Sequence, residues 1–233
     1  MKTRKYIYWL LALLCYLPAF TQSPVKIQRL EAGEKTCLHE GWFARKASEI
    51  GEDGNRLTGQ PFEATGWMKA KVPGTVLTTL LENKLYPAPE FGLNNQLIPD
   101  IFHVGRAFYT YWFACPFTME VLLPGQHAWL NFRGINYKAE IYLNGKRVNT
   151  VTHEGMFLRQ SYDITSYLKE NGTNVLAVLV FPPDHVGNPN GGQGGDGQIA
   201  RNCTMQYTPG WDWIQPVRDR NTGIWDEVPM AVT

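Results

Sequence analysis

Residues 207–225 combine the residue types that bind sugars. Trp211, Asp212 and Trp213 are consecutive, and a charged run at 218–220 follows shortly after them. The apolar face of a pyranose stacks on an indole ring, while its hydroxyl groups need carboxylates, amides or guanidinium groups in place of water. In an alternative interpretation both tryptophans lie in the core and Asp212 caps a turn. We take Trp211, Asp212 and Trp213 as the candidate substrate-binding residues.

The sequence singles out no catalytic pair. Hydrolysis of a glycosidic bond usually needs two carboxylates about 5 to 9 Å apart on opposite sides of that bond. No acidic residue here stands in an Asn-Glu or similar strand-end setting, and a Gly-x-Ser-x-Gly nucleophile motif is absent. We therefore assign no catalytic residue. The available carboxylates are Asp163, Asp184, Asp196, Asp212, Asp219 and Glu227.

The sequence predicts neither a metal site nor a cofactor. Cys37 and His39 lie close together, but no second cysteine or histidine pair nearby closes a zinc site. The glycine-rich residues 187–197 are not followed by Gly-Lys-Ser/Thr, and Pro182-Pro183 ends the preceding strand early. We interpret that stretch as a surface loop rather than a phosphate cradle.

Residues 1–21 are typical of a secretory signal peptide. A basic start at 2–5 precedes an apolar run at 7–20, which falls short of the roughly 20 apolar residues of a membrane span. We therefore expect a secreted or periplasmic protein without a membrane span, the alternative being a membrane anchor. Residues 22–36 are then a linker, and 37–233 form one domain. The mature chain keeps three cysteines, so one disulfide at most can form.

The charge argues against a nucleic-acid-binding protein, and the length argues against a sandwich and a barrel within this chain. The chain has 22 basic and 21 acidic residues; without Lys2, Arg4 and Lys5 of the leader, 19 basic residues remain. No basic stripe is visible, so nucleic acid is not an expected partner. With 233 residues, the chain is too short for a sandwich together with a (β/α)8 barrel, which alone takes about 250 residues.

The middle of the chain alternates apolar and polar residues with a period of two. Residues 128–132 place Ala, Leu and Phe on one face, and 138–143 place Ala139, Ile141 and Leu143 on one face. Asn144-Gly145 predicts a tight hairpin turn, with residues 146–151 as the returning strand.

Two further segments complete the predicted fold. Residues 174–181 are almost wholly apolar, so we expect both faces of that strand to be covered, the outer one by another domain among the possibilities. After Pro73-Gly74, a helical apolar spacing predicts one short helix over 75–84, capped by Thr75. Many short strands and little helix favour an all-β antiparallel jelly-roll β-sandwich.

A series of segments along the chain forms a recognisable pattern: 72–75, 86–87, 91–94, 109–113, 130–134, 139–146, 155–157, 162–165 and 174–178. In this order they resemble the sugar-binding domain that opens glycoside hydrolase family 2 enzymes, which is galactose-binding-domain-like. The glycine-rich stretch at 192–196, Gly210-Trp211-Asp212-Trp213 and residues 218–226 are most similar to two branches, the mannosylglycoprotein endo-β-mannosidases and the exo-β-glucosaminidases.

This resemblance implies a jelly-roll domain whose Trp-Asp-Trp loop reaches the active site of a neighbouring barrel. There Asp212 would hydrogen-bond the sugar in the −1 subsite, and Trp211 or Trp213 would wall it. In the family an immunoglobulin-like domain and the barrel follow, and the barrel carries both catalytic glutamates. The resemblance therefore implies that this chain alone is inactive.

Three functions follow as hypotheses. The first is the front end of a secreted retaining β-glycosidase acting on a β-linked mannoside or glucosaminide. The second is a free-standing carbohydrate-binding module, and the third is an adhesive sandwich without sugar contacts.

Overall fold

The computed structural model describes residues 25–27, 33–99, 103, 105–169, 171–183, 202–204 and 221–233. The predicted leader at 1–21, the glycine-rich stretch at 187–197, and Trp211, Asp212 and Trp213 lie outside the described residues. No helix in the described ranges is both long enough and apolar enough to cross a bilayer.

The larger β-sheet has the strand order β4-β3-β5-β11-β7-β8, with β1 beside β5 and β9 beside β7. Its strands are β1 (Val25–Ile27), β3 (Trp42–Lys46), β4 (Met68–Ala70), β5 (Tyr111–Met119), β7 (Lys138–Leu143), β8 (Lys146–Arg147), β9 (His153–Glu154) and β11 (Asn174–Phe181). The pair β1 and β5 is parallel, and the other pairs are antiparallel.

The smaller sheet has the order β10-β6-β12-β2. Its strands are β2 (Lys35–Cys37), β6 (Ala128–Phe132), β10 (Gln160–Asp163) and β12 (Pro229–Val232). Side chains from both sheets meet in one hydrophobic core, so the predicted all-β sandwich is confirmed. β1 and the start of β2 lie within residues 22–36, which the sequence set apart as a linker.

The predicted helix is confirmed at α3, and the described part of the chain contains three further short helices. Thr75 caps α3, where its side chain accepts a hydrogen bond from Thr78 N and the Thr78 hydroxyl in turn accepts one from Thr75 N. The helices are α1 (Ala47–Ile50), α2 (Gly54–Gly59), α3 (Val76–Glu82) and α4 (Arg106–Tyr109), with 3-10 turns at Asn94–Leu97 and Thr165–Tyr167.

The Asn-Gly hairpin is confirmed, but its returning strand is shorter than predicted. Asn144 and Gly145 adopt φ angles of 51° and 83° between β7 and β8. Instead of continuing to residue 151, the strand stops at Arg147. The Asn149 side chain then accepts from Ile141 N at 2.7 Å and donates to Ala139 O at 2.9 Å. A side chain thus takes the bonds that a continuing strand would have made.

Strand β11 is buried on both faces, as its apolar run predicts. Its inner side chains, including Val178, join the core between the sheets, while Leu179 and Phe181 join a second cluster on the outer face of the larger sheet. That outer cluster is covered by the chain's own α1 and α2 with Phe62 and Trp67, not by another domain.

Candidate functional site

The residues on either side of 184–220, a span in which only 202–204 are described, lie at the same end of the sandwich. Tyr137 N donates to Phe181 O at 3.1 Å, just before the chain passes beyond Pro183. The neighbouring Asn136 pairs with Gly223, just after the chain returns at residue 221. The candidate residues Trp211, Asp212 and Trp213 belong to the intervening span, and their role stays a prediction.

Five hydrogen bonds fix the returning segment 221–224, which we call the anchor. Asn136 and Gly223 exchange two backbone bonds of 2.9 Å, and the Asn136 side chain donates to Asn221 O at 3.1 Å. Gly74 N donates to Ile224 O, and Val76 N donates to Thr222 O, both at 2.8 Å. The Pro-Gly-Thr motif before α3 therefore holds the return of the chain that carries the candidate residues.

Two buried polar atoms at the anchor lack a hydrogen bond to any described residue. They are Asn136 Oδ1 and Thr222 Oγ1, on side chains that are 1% and 0% exposed. A buried polar atom left without a partner costs about 1–3 kcal/mol. Native proteins usually satisfy such atoms, so the two atoms can form hydrogen bonds beyond those found among the described residues.

An aromatic surface lies directly after the anchor. The half-buried Trp225 donates from Nε1 to Met156 O at 2.9 Å, and the exposed Phe157 meets its ring edge-on at a centroid distance of 5.8 Å. Gly134 lets the indole approach, since a Cβ there would lie 2.4 Å from the ring. Trp225 belongs to the stretch 207–225 that combines sugar-binding residue types, but it is not among the three candidate binding residues, and the sequence assigned no sugar-contact role to Phe157. The only signal near Phe157 was its place in the family-like segment 155–157.

The two described candidate carboxylates show no features of a catalytic acid. Hydrogen bonds from the Thr165 hydroxyl, and also from Thr165 N and His127, lower the pKa of Asp163. A general acid needs the opposite shift. Glu227 forms an ion pair with Arg133. The other four carboxylates lie outside the described residues, so the absence of a catalytic pair from this chain stays a prediction.

A cleft of about 490 Å³ on the outer face of the larger sheet does not adjoin the anchor. It lies between the α1–α2 cover and the segment with Phe62 and Trp67. Arg45 in its wall is bonded to Glu49 and Thr65 O, and the Asp53 side chain caps α2. These polar groups hold the cover in place.

Next to the anchor, the buried His153 should make the free energy of unfolding depend on pH. Its side chain is 3% exposed, and burial lowers its pKa, with the backbone groups of Gly155 and Ile135 offsetting only part of the shift. The unfolded chain therefore takes up a proton near pH 6.5 that the folded chain still excludes. Stability should be lost as pH falls from about 6.5 towards the lower folded pKa, at up to about 1.4 kcal/mol per pH unit.

Urea titrations from pH 8 to pH 5 check this expectation. The difference in free energy of unfolding between the parent and His153→Gln should be constant above pH 7 and shrink below 6.5. Parallel curves over the whole range would contradict it.

Comparison with known proteins identifies the fold family. Residues 42–226 match the glycosyl hydrolase 2 galactose-binding domain-like family. The chain belongs to this family. The galactose-binding-like resemblance of the sequence is thereby confirmed, and the anchor at 221–224 lies inside the matched range.

Relatives of this galactose-binding-like domain are much longer than the chain. The mannosylglycoprotein endo-beta-mannosidase of Lilium longiflorum is 52% identical over 201 residues, which cover 84% of this chain and 21% of that protein. An exo-beta-D-glucosaminidase of Streptomyces avermitilis is 29% identical over 196 residues, covering 83% and 19%. The chain therefore spans about a fifth of the length of these relatives.

Solved structures of such enzymes contain the same fold. The exo-chitosanase of Amycolatopsis orientalis superposes with a TM-score of 0.65 at 26% identity, covering 86% of this chain and 21% of that one. The β-D-mannosidase from Dictyoglomus thermophilum gives a TM-score of 0.59 at 27% identity, covering 84% and 22%. In both, the galactose-binding-like domain is one part of a larger glycan-hydrolysing enzyme.

Proposed function

We propose that this chain is the N-terminal sugar-binding domain of a secreted β-glycosidase of the β-mannosidase or exo-β-glucosaminidase type. The observation that carries the proposal is the match to glycan-hydrolysing relatives over 84% of the chain but only 21% of the relative. The catalytic carboxylates then belong to a barrel domain outside this chain, reached through an immunoglobulin-like domain. Secretion rests on the leader at residues 1–21.

Within the enzyme, the domain walls the −1 subsite of a retaining active site. In such a site one carboxyl group protonates the leaving oxygen, and the other forms the glycosyl-enzyme intermediate. Asp212 accepts hydrogen bonds from sugar hydroxyls, and Trp211 or Trp213 stacks on the pyranose face. Both groups also exclude water from the reacting carbon.

The anchor supports this role. A loop that positions a carboxylate against a sugar must return to a fixed point, and five hydrogen bonds fix residues 221–224. Asn136 Oδ1 and Thr222 Oγ1, which have no hydrogen-bond partner among the described residues, lie at the same end of the sandwich as the Trp225–Phe157 surface.

Calorimetry on the chain tests the sugar-contact role. Titration with a nitrophenyl β-mannoside and a nitrophenyl β-glucosaminide should give heat with one of them, and Asp212→Ala should lose it. Glu90→Ala, which removes an exposed carboxylate elsewhere, is the matched control and should bind like the parent. Equal binding by Asp212→Ala and the parent would overturn the assignment.

Hydrolysis and native mass separate an enzyme domain from a free-standing module. The chain alone should release no nitrophenol from either glycoside, and measurable release would refute the absence of a catalytic pair. The secreted native product should have a mass several times 26.5 kDa. A native mass near that of the mature chain, with sugar binding intact, would favour the carbohydrate-binding module instead.

A further inference from the structure

We propose that Cys37, His39 and Glu227 form a zinc site that ties the edge strand β2 to the segment leading into β12. The Cys37 thiol, one His39 ring nitrogen and a Glu227 carboxylate oxygen all lie within 4.8 Å of one another. Cys37 and Glu227 are half-buried, and His39 is exposed. The sequence offered only the first two ligands, since Glu227 lies near the other end of the domain.

Backbone hydrogen bonds hold two of the ligands in place without any metal. Cys37 is paired with Pro229 in the smaller sheet, and Leu38 N donates to Val228 O at 3.0 Å. Arg133 N donates to Glu227 O at 3.1 Å. The backbone therefore holds the segments with Cys37 and Glu227 side by side before any metal ion binds, as a preformed metal site requires.

The third ligand is brought back by a local turn. His39 N donates to Cys37 O at 3.1 Å, which closes a three-residue turn directly after β2. A tetrahedral zinc ion needs its ligand atoms about 3.5 Å apart, so a pair separated by the full 4.8 Å would have to close by up to about 1.3 Å. The exposed His39 side chain can supply that movement by rotation.

The donor set suits zinc rather than a harder cation. Thiolate and imidazole ligands select zinc, whereas calcium and magnesium prefer oxygen ligands. Three protein ligands leave a fourth position for water, as in other zinc sites with an open position. On binding, the Cys37 S–H bond is replaced by a zinc–sulfur bond, and the proton passes to solvent.

Arg133 is the group that competes for Glu227, and it is compatible with the metal. Its guanidinium pairs with Glu227 Oε2, which leaves Oε1 for the ion. The Cys37 thiolate and the Glu227 carboxylate neutralise the two charges of the ion, so Arg133 faces a centre without net charge. A carboxylate that is both a ligand and an acceptor from a neighbouring donor is the usual arrangement around bound metals.

Cobalt substitution tests the site on the full chain after removal of metals by a chelator. Cobalt(II) should bind one ion per chain and give the near-ultraviolet charge-transfer absorption of a thiolate ligand, and zinc should displace it. Cys37→Ser should abolish the band. Cys203→Ser, which removes an exposed free thiol, should retain it.

Two further measurements distinguish three ligands from a lone thiol. His39→Ala and Glu227→Gln should each weaken zinc binding at least tenfold by calorimetry. Zinc at about 100 times its Kd should raise the Tm of the parent by about 5–10 °C and leave that of Cys37→Ser unchanged. No band in the parent, a band surviving Cys37→Ser, or unchanged zinc affinity in His39→Ala would each overturn the proposal. Because His39→Ala leaves the Arg133–Glu227 pair intact, its result does not depend on that ion pair.

Discussion

Gly223→Ala should lower the free energy of unfolding by about 2–6 kcal/mol, the sum of a backbone and a packing penalty. Gly223 has a φ of +153°, a conformation that residues with a side chain rarely adopt. An added Cβ would lie 2.7 Å from both Gly74 O and Thr75 Cα. Both are backbone atoms of the motif that holds the anchor, so no side-chain rotation relieves the contact. Urea denaturation followed by tryptophan fluorescence measures the loss.

Gly172→Ala is the matched control for Gly223→Ala. Gly172 also has a positive φ, +109°, but nothing lies within 4 Å of a Cβ placed there. It carries the conformational penalty alone, so its destabilisation should be about 1–3 kcal/mol, without the packing penalty of Gly223→Ala. Equal losses in the two variants would mean that the close approach of residues 74 and 223 does not contribute to stability.

The same pair of variants links the anchor to the proposed function. Below its transition, folded Gly223→Ala should bind the β-glycoside more weakly than the parent, because the displaced anchor no longer fixes the preceding chain. Gly172→Ala should bind normally. Unchanged binding by Gly223→Ala would separate the anchor from sugar recognition and leave its role purely structural.

Strands with one face against the core were predictable from the sequence. In β6 the buried side chains recur at every second residue, because only one side of the strand contacts the opposite sheet. β7 follows the same pattern as far as Ile141, but Tyr142 on its outer side is also buried, in the second cluster. The Asn144-Gly145 turn was predictable because few residues other than Asn and Gly tolerate positive φ at both positions. The continuously apolar β11 likewise predicted cover on both faces.

What covers β11 was not predictable, because the covering elements are too short to carry a pattern. α1 has four residues and α2 has six, less than two helical turns each. They are held instead by tertiary contacts, such as the Thr58 hydroxyl accepting from Gly145 N at 2.8 Å. The premature end of β8 has a similar cause, because Asn149 bonds to backbone groups that no local rule connects with it.

Residues brought together from distant parts of the chain also left no sequence signal. The anchor joins Asn136 to Gly223 and Gly74 to Ile224 through backbone groups, which every residue except proline possesses. Glu227 approaches Cys37 only because β12 and β2 pair. Composition indicated which side chains suit a sugar, whereas the fold determines which of them meet.

Trp112→Ala should be strongly destabilising, by about 3–5 kcal/mol, as for other buried tryptophans. The Trp112 side chain is fully buried under the α1–α2 cover and packs on Tyr142 at a centroid distance of 5.8 Å. Its Nε1 donates to Gly51 O at 2.7 Å, which ties the end of α1 to β5. Removal therefore opens a cavity and frees the cover, so amide hydrogen exchange in α2 should accelerate along with the loss of stability measured in urea.

Trp112→Phe separates packing from the hydrogen bond. Phenylalanine keeps an aromatic ring against Tyr142 but cannot donate to Gly51 O. Gly51 is an exposed residue, so we expect water to replace the indole as the donor. Its cost should be about 1–2 kcal/mol, the worth of one hydrogen bond with a small packing defect. If both variants lost the same stability, the bond to Gly51 rather than the buried ring would hold the cover. A loss below about 1 kcal/mol in Trp112→Ala would contradict a packed second core altogether, because a fully buried indole cannot be removed from such a core at so small a cost.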